Sequence, residues 1–571
     1  MPQDKDSCPY PIPANMRSAI GNNALMLRRD ARSFFWQDDR YKVYWEGLVF
    51  VSGILSGAES VKAFIAGLEK TAIEDACGIL KGIYFFIIES KKGGDIHAFI
   101  DNSGLYQAFY TSGKISNSFL ELAAHEGHTA ADFEPDAVVE FLNFGSLLSG
   151  ETYLSSIRRI RHDEILRLPR PGAKLLFIKK KNAGLRTSPD IHPKSFEQHF
   201  HELAASLGNC RVSIDLTGGA DTRLVAAMLD HCGLQFEAAS SGGTSEYADI
   251  SMPREIARAM GHPWFGTIHS ASALQDDIND LLAATDGLYD ILYYHRLYQL
   301  QKARKKRGID TMISGVGGEL FKDYWWLHEF PFYRRKTSDV KKLVNMRIMP
   351  SRPLLGIFSK RYAGPGGNLK DNLVRSFSRY VMDTNTKTLD NIFYNAIMRN
   401  MAGRILTSHT RYVKCLAPFL DPDLATMGFN LPRMQRFYNF FHRRELTKIN
   451  RRLARFKTSE NGMTLSYRPA DILLDLPRYI GEKGKRVLIK LRLAQRGGPS
   501  SLNDPACYPQ VRNMKLMLES LDALKDARII NKDVRLHQLA DSRLGSFLTL
   551  GMVAAALERG ARGGQMRIDR P

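Results

Sequence analysis

The sequence predicts an α/β protein in two parts: residues 1–188 as an antiparallel, β-rich α+β sandwich, and residues 189–571 as a doubly wound parallel sheet with a helical C-terminal lobe. Three observations predict it. Strand-like apolar runs crowd the first third, strands alternate with helices after about residue 190, and from about residue 375 the chain reads as mostly helix. A chain of 571 residues also exceeds what one ordinary core holds.

Taken in order, Lys42 to Gly53 is aromatic and β-branched, as a strand requires. Lys81 to Asn102 gives two strand-like runs around the turn signal Lys91-Lys92-Gly93-Gly94. A short strand at Ala108 to Ser112 follows, then a helix at Pro135 to Phe144, then strands out to about Lys181. Ser195 to Leu207 reads as a helix. The alternating part places strands at Val212 to Leu216, Phe236 to Ser240, Trp264 to Ile268 and Thr311 to Ser314, with helices between them, the order of a parallel sheet. Gly/Pro-rich breaks fall at Arg361 to Asn368 and Gln495 to Pro509, and the end of the chain reads as a disordered basic tail.

Composition narrows the class. Hydrophobic residues at 44% and charged residues at 25% describe a folded globular chain. Six scattered cysteines form no C-x-x-C pair, which argues against a disulfide framework or zinc site and for a reducing compartment. No signal-peptide pattern opens the chain, and its longest apolar stretch, Leu544 to Leu557, falls short of the ~20 residues of a membrane span. The expected location is cytoplasmic. The net charge of +20 favours an anionic partner, but no basic run is interleaved with aromatics, so no specific nucleic acid is expected. A homodimer is compatible with this sequence.

The segment Arg211 to Leu229 carries the chemistry. An apolar strand runs into Thr217-Gly218-Gly219-Ala220-Asp221-Thr222-Arg223 and directly into a helix. Adjacent glycines allow close backbone approach, and helix-start N–H groups with the hydroxyls of Thr217 and Thr222 make an anion cradle. Asp221 in such a cradle implies a divalent cation, Mg²⁺. The bland alternative is an ordinary strand–helix turn with a threonine cap.

This segment resembles the S-G-G-x-D-S pyrophosphate loop of the asparagine synthetase family, which includes β-lactam synthetases and lasso-peptide cyclases, with threonine in place of both serines. Ser314 to Tyr324 resembles that family's S-G-x-G-x-D-E-x-F-x-G-Y, one residue shorter and with Gly318 where the family has Asp. Leu416 to Leu424 resembles its structural P-F-L-D turn, and Arg455-Phe456-Lys457 its R-x-K. Asp101 to Tyr110 and Val138 to Leu166 resemble its class II glutaminase domain, whose cysteine nucleophile stands at the mature N-terminus; here residue 2 is Pro and the nearest cysteine is Cys8.

The resemblance implies an ATP-pyrophosphatase-like second domain that adenylates a carboxylate with ATP and Mg²⁺ and passes the acyl group to ammonia or another amine, without glutamine hydrolysis. It implies Asp221, Glu319 and Lys457 as catalytic residues, Asp221 and Glu319 as Mg²⁺ ligands, and Thr217, Gly218, Gly219, Asp221, Thr222, Arg223, Ser314 and Gly315 as the ATP and pyrophosphate cradle. The carboxylate belongs to a small molecule, glycan or peptide, and uronic acid amidation in surface-polysaccharide synthesis is one such reaction. Two alternatives stand beside it: a macrolactam-forming peptide cyclase, and a non-catalytic nucleotide- or glycan-binding scaffold.

Overall fold

The computed structural model describes residues 25–28, 33–150, 152–169, 173–186, 195–242, 248–268, 271–322, 340–350, 353–354, 356–363, 368–459, 461–490 and 509–561. The first part builds two sheets. Six antiparallel strands take the order β10-β9-β5-β4-β3-β2, where β2 is Ser33–Gln37, β3 Tyr41–Val51, β4 Leu80–Ser90, β5 Ile96–Ile100, β9 Glu164–Leu168 and β10 Leu176–Lys179. A smaller sheet joins β1 (Leu25–Met26), β7 (Ile115–Ser116), β6 (Phe109–Tyr110) and β8 (Arg158–Arg159). β3 and β4 pair over their full eleven residues, from Tyr41–Ser90 to Val51–Leu80. Both faces of this pair are covered. Val43, Trp45 and Phe86 pack on one side against Phe64 and Ile65 of the helix Ala58–Gly67, while Tyr44, Leu48, Phe85 and Ile87 face the rest of the chain.

The second part is a five-stranded sheet, all parallel, in the order β13-β12-β11-β14-β15. Its strands are β11 Val212–Asp215, β12 Phe236–Gly242, β13 Trp264–Ile268, β14 Thr311–Ile313 and β15 Lys414–Leu416. Helices Ala220–His231, Ala248–Met260 and Ile291–Lys306 lie among the crossovers, as parallel pairing requires. The fifth strand was not expected: its three residues sit in a helical stretch too short for a period to show. Beyond it the elements among the described residues are helices, the last being Leu544–Ala561, whose apolar run is buried on nearly every side. Among the described residues no helix is long and apolar enough to cross a membrane.

One hydrophobic core runs through both parts, joining Tyr44, Phe85 and Ile100 to Phe196, Ile214, Leu416 and Phe419. The expected basic tail begins at Arg559, but Arg559 to Ala561 continue the last helix, Leu544–Ala561. The rest of the tail, the expected boundary between residues 188 and 189, and the positions of Pro2 and Cys8 lie outside the described residues.

Candidate active site

The order of the parallel sheet fixes where a ligand can sit. β11 is central, with β12 and β13 added on one side and β14 and β15 on the other. In open α/β sheets, the crevice at the carboxyl ends of the strands at such a switch point is the usual ligand site. The loops leaving β11 and β14 are 217–219 and 314–317, the two singled out by their glycines.

Glycine lets these loops touch. A Cβ on Gly315 would lie 2.7 Å from both the amide nitrogen and the Cγ2 of Thr222, so the second loop packs directly on the first. A Cβ on Gly218 would fall 2.5 Å from the Ser459 hydroxyl and 2.7 Å from the Met252 sulfur. Within the first loop, the Thr217 amide and the Gly219 amide donate to the hydroxyls of Thr222 and Thr217, each at 3.1 Å, and those hydroxyls meet at 2.9 Å. No side chain caps the helix Ala220–His231. Its first-turn N–H groups therefore suit an anion, with the helix dipole behind them. Ser314 sits beside them, its amide donating to the Leu416 carbonyl at 2.8 Å.

Asp221 lies at the centre of a charge cluster. Lys322 Nζ is 2.5 Å from its Oδ2 and His442 Nε2 is 2.9 Å from its Oδ1. Burial pushes this carboxyl up, but Lys322 and His442 together outweigh burial and hold it well below the usual carboxylate range. Glu319 is its neighbour, with an Oε2 that is buried and has no hydrogen-bond partner. Burial pushes the Glu319 carboxyl up, Lys322 opposes that, and repulsion from Asp221 adds to it. Gly318 is pressed against Asp221: a Cβ there would lie 2.3 Å from Oδ1.

One expected cradle residue stands elsewhere. Arg223, expected to meet phosphate oxygens, is fully buried behind the loop. Its guanidinium donates to the carbonyls of Phe456 (2.6 Å), Gly218 (2.9 Å) and Lys457 (3.0 Å). Burial alone brings it down to about 10. Arg223 thus corrects a sequence expectation: it ties segment 453–457 to the loop instead of reaching into it. Lys457 is exposed, at the crevice end of that tied segment.

The asparagine synthase family model matches residues 206–455, which contain both loops and all five parallel strands. This part of the chain is an asparagine synthase domain. ATP-dependent ligation is the general class of chemistry that comes with it. No curated protein matches the chain. Among solved structures, the NMN synthetase of Francisella tularensis is similar at 18% identity over 38% of this chain and 97% of that chain, with a TM-score of 0.20.

Within the asparagine synthase domain the structure gathers Thr217, Gly218, Gly219, Asp221, Thr222, Ser314, Gly315 and Glu319 around one crevice. Sequence reading missed Lys322, His442, Met252 and Ser459. Lys322 stands in the second motif at a position the pattern leaves open, so its charge carried no signal; His442, in the distant helix Phe440–Ile449, gave none. The Mg²⁺ expected on Asp221 and Glu319 would meet a cation already beside them. Lys322 holds Asp221 Oδ2 and so competes for that oxygen, while Asp221 Oδ1, 2.9 Å from His442 Nε2, and Glu319 Oε2 are buried without hydrogen-bond partners and are the two carboxylate oxygens that would hold the ion together with substrate phosphates.

Tyr324 and Asp323 of the second motif lie outside the described residues.

Proposed function

We propose that the asparagine synthase domain adenylates a carboxylate and passes the acyl group to ammonia or an amine. A carboxylate oxygen attacks the α-phosphorus of ATP and the bond to pyrophosphate breaks. The amine then attacks the acyl carbon, the carbon–oxygen bond to AMP breaks, and the amine proton leaves to a base or water. The contact of Gly315 on Thr222 carries this reading, because it joins two phosphate-loop segments at the switch point. The uncapped N–H groups and the Thr217 and Thr222 hydroxyls would hold the departing pyrophosphate, replacing the hydroxyl–hydroxyl bond with bonds to phosphate. Lys457 would add charge from the crevice rim. Arg223 keeps that rim in place.

Free ammonia or a substrate amine is the proposed nitrogen source. Cys77, in the antiparallel part, is buried, and burial pushes its thiol up to about 12, too high for a nucleophilic thiolate. Small molecules, glycans and peptides all supply suitable carboxylates. The net charge of +20 supports an anionic glycan such as a uronic acid. The Lys322–Asp221 pair favours one other reading, a scaffold that binds nucleotide without turnover.

The test is release of AMP and pyrophosphate from ATP, with ammonium and pools of uronic acids, amino acids and peptides, for the wild type and Thr222→Val. AMP formed with one pool, and reduced about 10²-fold in Thr222→Val, supports ligation. ATP binding without AMP from any pool supports the scaffold. No ATP binding overturns both.

A further inference from the structure

A second cavity, of about 700 Å³, lies between the two parts of the chain, lined by none of the nucleotide-loop residues. Its walls come from 100–164 of the antiparallel part and from 372–399 of the asparagine synthase domain. That volume suits a small-molecule ligand. The lining is more polar than that of most ligand pockets and rich in charge: six arginines, among them Arg158, Arg375 and Arg399, share it with four acidic residues, among them Asp136 and Glu164.

Several of these groups are fixed before any ligand arrives. Arg159 NH1 donates to Gln107 Oε1 at 3.0 Å and to Asn400 Oδ1 at 2.5 Å, and Arg379 NH2 donates to the Ser149 carbonyl at 3.1 Å. Arg399 is 4% exposed, with its Nε on the Ser103 carbonyl at 2.7 Å, so it too is held from across the two parts. Its NH2 group is buried and has no hydrogen-bond partner. A buried guanidinium nitrogen left unpaired costs free energy that an anionic acceptor would recover. The side chains of Asp136 and Glu164 also line the cavity and add carboxylate acceptors, which suit a ligand's hydroxyl groups.

We infer that this cavity is a binding site for a small hydroxylated organic anion, its charged group on the arginines around Arg399 and its hydroxyls on Asp136 and Glu164. Arginines and carboxylates lining one cavity favour a ligand that carries both an anionic group and hydroxyls over a purely apolar molecule. Carboxylate and phosphate share the required chemistry. Because the walls belong to both parts of the chain, the ligand would bridge them. The site stands whether or not the asparagine synthase domain turns over.

Isothermal titration of the full-length protein with gluconate, glucose 6-phosphate and glucose tests the site. At least one of the two anions should bind, glucose should not, and the binding anion identifies the charged group. Arg375→Glu, at the exposed rim, should weaken that anion at least about tenfold, while Lys515→Glu, an exposed reversal away from the cavity, should leave it unchanged. Arg399→Met should abolish binding, and the rim variant carries the test if Arg399→Met does not fold. The proposal is overturned if neither anion binds the wild type at about 10 mM, if glucose binds as well as the anions, or if Arg375→Glu and Lys515→Glu weaken binding equally.

Discussion

At the scale of single residues, the cluster around Asp221 shows one positive side chain doing what a metal ion does elsewhere. Lys322 neutralises Asp221 and also pulls on Glu319, so two carboxyls share one ammonium in the crevice. Removing that ammonium leaves two adjacent carboxyls without their cation, a donor set much closer to what a divalent ion requires. Lys322→Met should therefore create metal binding: titration with Mn²⁺ in the absence of nucleotide should give one site in the variant and none in the wild type. A wild-type site of equal affinity would show that Lys322 does not exclude the ion. Gly318 belongs to the same arrangement. Where the resembled motif has Asp, a side chain here would collide with Asp221 at 2.3 Å, so the glycine and the lysine are two parts of one substitution.

At the scale of elements, the helix Pro135–Phe144 shows both what was legible and what was not. Proline at its first position and Gly145 at φ +68° just past its end mark the boundaries in the sequence, and the structure places them there. Strands β3, β4, β11, β12, β13 and β14 were equally readable, because long apolar runs between turn signals have a simple physical cause. The direction of polar side chains was not readable. Glu140 looks like the solvent face of an amphipathic helix, yet it is 2% exposed and accepts the Ser149 amide at 2.8 Å. The crevice was legible for the same reason as the strands: glycines and hydroxyls follow strand ends in sequence. Lys322 and His442 reach Asp221 only through tertiary packing.

Burial pushes the Glu140 carboxyl up to about 7, against hydrogen bonds that lower it. The folded state then keeps a proton that the unfolded chain releases near 4.5, so this group's contribution to stability is greatest below about 4.5 and is lost as pH rises to about 7. The difference is about 3 kcal/mol. Glu140→Gln keeps an acceptor for Ser149 and cannot ionise. Relative to the wild type, the variant should gain about that much stability between pH 5 and pH 8 in urea denaturation. An unchanged difference between the two proteins across that range would mean that Glu140 does not hold its proton.

At the scale of the molecule, the two parts are fastened together along their whole contact. Lys81 of β4 pairs with Asp421 at 3.0 Å and Asp423 at 2.5 Å, so a strand of the antiparallel sheet holds the turn after β15. The Gln107 amide donates to the Thr407 hydroxyl at 3.0 Å, and Arg399 holds the Ser103 carbonyl. A Cβ on Gly403 would lie 2.7 Å from the Leu105 carbonyl oxygen, a backbone approach that only glycine permits. With a core continuous through both parts, neither half buries its apolar surface alone, and large chains whose parts share a core unfold as one unit unless their interface is weak. Calorimetry of the full chain should show a single transition. Gly403→Val should lower it as a whole, at a cost of about 1–3 kcal/mol from overpacking against fixed backbone, and residues 189–571 made alone should aggregate or unfold. The chain has five tryptophans, so variants that keep only Trp45 on β3 or only Trp264 on β13 report on the two parts separately. If the variant shifts the transition seen by one probe and leaves the other in place, the parts are independent domains, and the cavity between them would be a hinge rather than a fixed site.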